Sequence, residues 1–69
     1  MSAALDTALS DAHAAADGRT LVGLYAQAAD MVAAPADAFF LTQAWIFALE
    51  CGDPRADGIE RTLRAQGRA

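Results

Sequence analysis

The sequence predicts a small all-α protein made of four short antiparallel helices, arranged as two helical hairpins. Of its 69 residues, 55% are hydrophobic and nineteen are alanine, the residue with the highest helix propensity. No segment of useful length alternates apolar and polar residues, as a half-buried strand would. Because 69 residues form at most one small domain, we expect a single helical domain over 1–69, with helix-turn-helix units at 1–34 and 35–69.

The first helix is predicted over residues 3–16. Its apolar residues recur at helical spacing and share one face: Leu5, Leu9, Ala12 and Ala16. Ser2 is the expected N-cap, and Asp17-Gly18 supplies the stop.

The second helix is predicted over residues 20–33. One line of apolar residues follows its length, with Tyr25 and Val32 beside it: Leu21, Leu24, Ala28 and Met31. Pro35 ends this helix or begins the next one, because its ring cannot continue the hydrogen-bond ladder but suits a first helical turn. The connection is short, so the second and third helices should be antiparallel neighbours.

The third helix is predicted over residues 36–51 and carries three apolar stripes. The stripes are Phe40, Ala44, Phe47 and Cys51; Leu41, Trp45 and Ala48; and Phe39, Ile46 and Leu49. A helix that is apolar over most of its circumference is expected to be surrounded. The other three helices supply mainly alanine, so we expect part of this surface to remain outside the protein's own core.

The fourth helix is predicted over residues 54–66, after the junction Gly52-Asp53-Pro54. In this junction the glycine ends one helix, the aspartate caps the next and the proline takes its first position. Ile59 and Leu63 should be buried. Two ion pairs are expected at a spacing of four residues: Asp57 with Arg61, and Glu60 with Arg64.

The two halves of the chain align with each other. A shift of 36 residues superposes Leu5 on Leu41, Leu9 on Trp45, Ala12 on Ala48, Asp17 on Asp53 and Arg19 on Arg55, and a shift of 35 superposes Gly23 on Gly58, Leu24 on Ile59 and Ala28 on Leu63. This period, with a turn containing Gly and Asp, resembles the tetratricopeptide repeat and its Sel1-like relatives. The likeness is clearest over 44–56, and it implies a helical protein-interaction module; a plain four-helix bundle is the alternative. The chain also resembles short, uncharacterised bacterial proteins.

Charge and targeting features narrow the location and the partners. Five arginines and nine acids give a formal net charge of −4, so neither nucleic acid nor an anionic membrane is expected to bind. The first residues lack the basic start of a secretory signal, and no apolar run approaches the roughly 18 residues that cross a bilayer. The lone Cys51 permits no internal disulfide. We therefore expect a soluble cytoplasmic protein.

The third stripe of the third helix is the candidate functional surface. We expect Phe39, Ile46 and Leu49, with Tyr25 as an edge contact, to bind protein, either a second copy in a homodimer or a partner's helix or extended peptide. No enzymatic activity and no cofactor is expected, because the sequence has no phosphate-binding loop, metalloprotease motif or paired cysteines.

Two alternatives use other residues. A small molecule could bind in a pocket among Tyr25, Phe40, Trp45 and Phe47. A hydrolase could use Ser10, His13 and Asp17, which lie in one row on the first helix with Asp6. This row is better interpreted as the solvated face of the helix, with His13 and Asp17 as a surface pair, because an exposed helix offers no oxyanion donors.

Two further features are interpreted structurally. Cys51 follows Phe40 and Phe47 on their stripe, so we expect it to pack in the core rather than to react. The arginines of the fourth helix alternate with acids, and Arg64 and Arg68 suit the negative end of that helix.

Overall fold

The computed structural model describes residues 2–68; Met1 and Ala69, the end residues of the predicted domain, lie outside them. Four helices follow one another: α1 (Ala3–Ala14), α2 (Gly18–Asp30), α3 (Ala36–Cys51) and α4 (Arg55–Ala65). The predicted all-α class is confirmed, and the bounds of α3 match the prediction. Within residues 2–68 no helix is long and apolar enough to cross a membrane.

The helices form a thin layer. α1 packs on α2, α2 on α3 and α3 on α4, and the Cα atoms extend over 31 × 27 × 11 Å. The smallest Cα extent is less than half of either of the other two, so the molecule is flat. Among residues 2–68 each helix contacts only the helices that precede and follow it, so every helix has sides that no other helix covers.

The α1–α2 and α3–α4 turns share one geometry at a spacing of 36 residues. The Asp17 amide donates to the Ala12 carbonyl at 2.9 Å, and the Asp53 amide donates to the Ala48 carbonyl at 2.8 Å. The residue before each aspartate is left-handed, with φ of 52° at Ala16 and 68° at Gly52. The alignment of the two halves is therefore reproduced in the backbone of the turns.

The predicted stop of the first helix is wrong in detail. Asp17 and Gly18 do not end α1; Asp17 caps α2 and Gly18 is its first residue. The chain reverses at Ala16, where an alanine adopts the left-handed conformation that usually favours glycine. Sequence reasoning assigned the reversal to the nearby glycine and therefore placed it too late.

The predicted caps at Ser2 and Gly52 hold, whereas the fourth helix begins one residue late: Pro54, predicted as its first residue, is the N-cap, and Asp53 precedes it. The Ser2 hydroxyl accepts the Leu5 amide at 3.1 Å. Gly52 ends α3 in the left-handed conformation, and the Asp53 carboxylate accepts the Arg55 amide at 2.9 Å. These bonds satisfy amide donors that the first turn of each helix leaves without a helical acceptor.

The core is built largely from alanine. Five larger apolar side chains are buried, with six alanines: Leu5, Leu9, Leu21, Val22 and Leu63, and Ala12, Ala28, Ala29, Ala44, Ala48 and Ala56. The buried residues of α3 are Ala44 and Ala48 alone. The expectation that α3 is surrounded is therefore wrong: its small residues face inward, and its large ones lie at the rim or outside.

The charged side chains of α4 pair in part as predicted. Arg64 binds Glu60 at 3.0 Å, but among residues 2–68 no ion pair joins Asp57 to Arg61. Arg68 reaches the Asp37 carboxylate at the start of α3, at 3.1 Å, rather than lying free beside the end of its own helix. Ile59 is half-buried, whereas Leu63 is fully buried as expected.

Candidate functional site: an exposed apolar face on α3

Three large apolar side chains project from one side of α3. Phe39 is 61% exposed, Ile46 38% and Leu49 58%, and their spacing of seven and ten residues places them on one helix face. We call these three residues the α3 apolar face. It lies opposite the buried Ala44 and Ala48, through which α3 packs on the rest of the protein.

The apolar area of this face is large for the size of the protein. With about 200 Å² for the Phe39 side chain and about 120 Å² each for Ile46 and Leu49, the exposed fractions leave roughly 240 Å² of apolar surface. The total accessible surface is 4115 Å², close to the ~4,100 Å² expected for 7.2 kDa. The fold is thus ordinarily compact, and the α3 apolar face approaches the size of the largest apolar patch on a typical monomer, which is often functional.

Tyr25, the predicted edge contact, belongs to a separate aromatic cluster. Its ring stacks on Phe40 and Phe47, with centroids 6.3 and 5.8 Å apart. Its hydroxyl lies 2.7 Å from Nε2 of His13, within hydrogen-bond distance. One contact links this cluster to the α3 apolar face, between the rings of Phe39 and Phe40 at 5.5 Å.

The four residues of the predicted small-molecule pocket divide between two clusters. Tyr25 stacks on Phe40 and on Phe47, while Trp45 packs against the cluster that contains Val22. An open cleft of about 380 Å³ lies elsewhere, and of the four residues only Phe47 lines it. The other lining residues are His13, Ala16, Gly18, Leu21, Glu50 and Cys51.

Ser10, His13 and Asp17 do not form a triad. No hydrogen bond joins any two of them among the described residues, and His13 contacts Tyr25 instead of pairing with Asp17. The Asp17 carboxylate is occupied by Thr20, whose hydroxyl donates at 2.6 Å and whose amide donates at 3.2 Å. These two bonds lower the pKa of Asp17. The carboxylate therefore serves as a helix cap.

Cys51 is exposed, which corrects the expectation that it packs in the core. It lies in the last turn of α3, close to Gly18; a Cβ placed on that glycine would be 3.4 Å from the Cys51 Cβ and 3.7 Å from its Sγ. Because Gly18 has no side chain, none of its atoms covers the thiol on that side. The stripe pattern places Cys51 on the same side of α3 as Phe40 and Phe47, but it does not show that α2 begins beside the thiol with a glycine.

Asp53 joins the two hairpins, a role that the sequence reasoning missed. Its side chain is 2% exposed and accepts two bonds from the Arg55 guanidinium, at 2.9 Å from Nε and 2.7 Å from Nη2. Arg55 also donates to the Arg19 carbonyl at 3.0 Å, and Nε of Arg19 lies 4.0 Å from the carboxylate. The bonds from the Arg55 side chain, and then from its amide, hold the pKa of Asp53 well below 3.8. The alignment of Arg19 with Arg55 was the available signal.

The chain matches no family model, no curated protein and no solved structure. The fold defines an all-α protein of four helices.

Proposed function

We propose that this protein is a non-enzymatic, tetratricopeptide-like interaction module that binds a second copy of itself through the α3 apolar face. The observation that carries the proposal is the exposure of Phe39, Ile46 and Leu49 on one side of a helix whose buried residues are alanines. The repeat-like architecture is supported by the two matched turns at a spacing of 36 residues.

Burial of the α3 apolar face by an apolar surface of a partner is energetically favourable. Two copies that cover each other's face bury about 480 Å² of apolar surface, worth roughly 12 kcal/mol at 25 cal/mol per Å². Association itself costs about 4–15 kcal/mol. The apolar contact is therefore of the size needed to offset this cost, and the polar residues around the face extend the interface toward the ~1,000 Å² of a specific contact.

The charge distribution also permits a second copy to bind. The chain has a net charge of −4, which disfavours association in general. Residues 38–49 of α3, however, contain no charged side chain. Two such segments meet without burying a charged side chain within either of them, and the nearest charge on this side of the helix, exposed Glu50, lies at the end of the face. The same net charge disfavours nucleic acid as a partner, and we place the protein in the cytoplasm because its lone cysteine forms no internal disulfide.

Paired charge substitutions test the proposal. The double variant Ile46→Glu/Leu49→Glu should be monomeric by light scattering at tens of micromolar, with its helical circular dichroism retained, whereas the unmodified protein should be dimeric. The control Thr7→Glu/Gln27→Glu adds the same charge at exposed positions of α1 and α2 and should remain dimeric. An unmodified protein that stays monomeric, or a dimer that survives the Ile46 and Leu49 substitutions, contradicts the proposal.

A further inference from the structure

We infer that the α3 apolar face pairs with the same face of a second copy about a two-fold axis, in a closed dimer that cannot extend further. This inference rests on the proposed function and specifies how the two copies meet. Repeat proteins can also associate end to end, by stacking one copy's last unit on the next copy's first. Three comparisons between the two halves of the chain decide between these modes.

The first comparison shows that each chain has one such face. The matched turns fix the alignment of α1 with α3 at 36 residues, because Ala12 and Asp17 make the same bond as Ala48 and Asp53. At this shift the residues of the α3 apolar face correspond to Ala3, Ser10 and His13 of α1. These are small or polar, so α1 offers no second apolar face. When copies of this chain associate through a face that occurs once per chain, the face meets its own copy, which gives a two-fold axis.

The second comparison shows that α4 ends the layer. A shift of 35 aligns the buried Ala28 with the buried Leu63, and the half-buried Leu24 with the half-buried Ile59. At this shift Val22 and Ala29, which are buried in α2, correspond to Asp57 and Arg64. Both of these charged residues of α4 are exposed. The side of α4 that a following unit would cover is therefore charged, as in a terminal repeat.

The third comparison shows that α1 ends the layer on the other side. α3 brings the rings of Phe40 and Phe47 to the aromatic stack with Tyr25 of α2. The corresponding residues of α1 are Ala4 and Asp11, both exposed. A repeat unit stacked before α1 would therefore have no aromatic side chains of α1 to pack against. Both ends of the molecule thus lack the contacts that end-to-end stacking needs.

The geometry of the face identifies the residue nearest the two-fold axis. Thr42 lies three residues after Phe39, four before Ile46 and seven before Leu49, so it occupies the middle of the face. Its hydroxyl donates to the Ala38 carbonyl of its own helix at 2.7 Å. In a two-fold pair, the two copies of Thr42 face each other at the closest approach of the helices, within the 4.4–6.8 Å between Cα atoms that a disulfide spans.

Disulfide trapping tests this arrangement. Thr42→Cys in a Cys51→Ser background should form a covalent dimer under mild oxidation. The matched control is Thr62→Cys in the same background, because Thr62 is an exposed threonine of α4 with the equivalent bond to the Gly58 carbonyl, at 3.1 Å. The control should remain largely uncrosslinked. Equal crosslinking of the two variants, or none at Thr42 in a protein that is dimeric, overturns the two-fold arrangement.

The mass of the unmodified protein provides a second measurement that does not depend on any variant folding. With rising concentration the weight-average mass should reach a plateau at twice 7.2 kDa. Growth beyond the dimer overturns the closed arrangement but leaves self-association intact. A mass that stays at one chain overturns both the inference and the proposed function, so the two failures are distinguishable.

Discussion

Replacing Ala48 by leucine should destabilise the protein, although leucine is more apolar and nearly as good a helix former. Ala48 is 0% exposed and lies in a cluster with Val22 and Ala56. The helices approach closely at this point because the side chain is a single methyl group. Three extra carbon atoms can be accommodated only by moving α2 or α4 away from α3.

The expected magnitude follows from the cost of overpacking. Inserting methylene groups into a filled core costs about 1–3 kcal/mol. A domain of this size has a total stability of roughly 3–10 kcal/mol, so Ala48→Leu removes a substantial part of it. Because 1 kcal/mol shifts the Tm of such a domain by about 4–8 °C, the expected loss is about 5–20 °C.

Leu49→Ala is the matched comparison, since it makes the reverse change at the neighbouring position. Leu49 is 58% exposed, so its truncation should cost the monomer about 1 kcal/mol or less. Both variants are measured by urea and thermal unfolding followed by circular dichroism, at protein concentrations low enough to keep the chain monomeric. An Ala48→Leu protein as stable as the unmodified one, or a larger loss from Leu49→Ala, refutes the assignment of alanine to the inside of α3 and leucine to the outside.

The remaining predictions concern the turns, the buried carboxylate and the thiol. Gly52→Ala should lower the free energy of unfolding by about 1 kcal/mol or more, because φ at this residue is 68°. Ala16→Gly should raise it by roughly 0.5 kcal/mol, because glycine adopts the left-handed conformation without strain. Urea unfolding of both variants tests these two expectations, and a stabilising Gly52→Ala contradicts them. The low pKa of Asp53, caused by its bonds to Arg55, contributes stability that is present above about pH 4 and is lost as the pH falls below the usual value of 3.8 toward the folded-state pKa. The stability advantage of the unmodified protein over Asp53→Asn should therefore shrink from pH 5 to pH 2, and an advantage that grows on acidification contradicts the assignment. Exposed Cys51 should react with a thiol reagent in the folded protein at a rate insensitive to mild denaturant; a rate that follows global unfolding would place it in the core.

Much of the fold was predictable because it depends on local chemistry. Ser2 and Asp53 cap helices, and Gly52 ends one, through interactions within a few residues of sequence. The end of α1 was predicted less well, because Ala16 takes the left-handed conformation that a glycine two residues later was expected to take. Propensity ranks residues for such positions but does not forbid the less favourable one.

The sequence predicts the candidate site only through an excess of bulky apolar residues on α3 over those on the other helices. The sequence shows that α3 has more bulky apolar residues than its neighbours can cover, and the structure places Phe39, Ile46 and Leu49 outside. Which side of α3 faces inward could not be derived, since all its sides are apolar. The choice depends on packing, because Ala44 and Ala48 allow a closer approach of the helices than the larger residues do. Tyr25, the expected edge contact, stacks on Phe40, and Phe40 in turn contacts Phe39 of the face.

The chain contains two isoleucines, Ile46 and Ile59, and their methyl groups provide the most direct test of the central claim. Ile46 lies on the α3 apolar face, whereas Ile59 packs against the cluster of Val22, Ala48 and Ala56. In a dilution series of methyl-labelled protein followed by NMR, the Ile46 δ1 resonance should shift with concentration and saturate, while the Ile59 resonance stays fixed. Both resonances remaining unchanged up to millimolar protein, or Ile59 shifting alone, would contradict the covering of this face by a second copy.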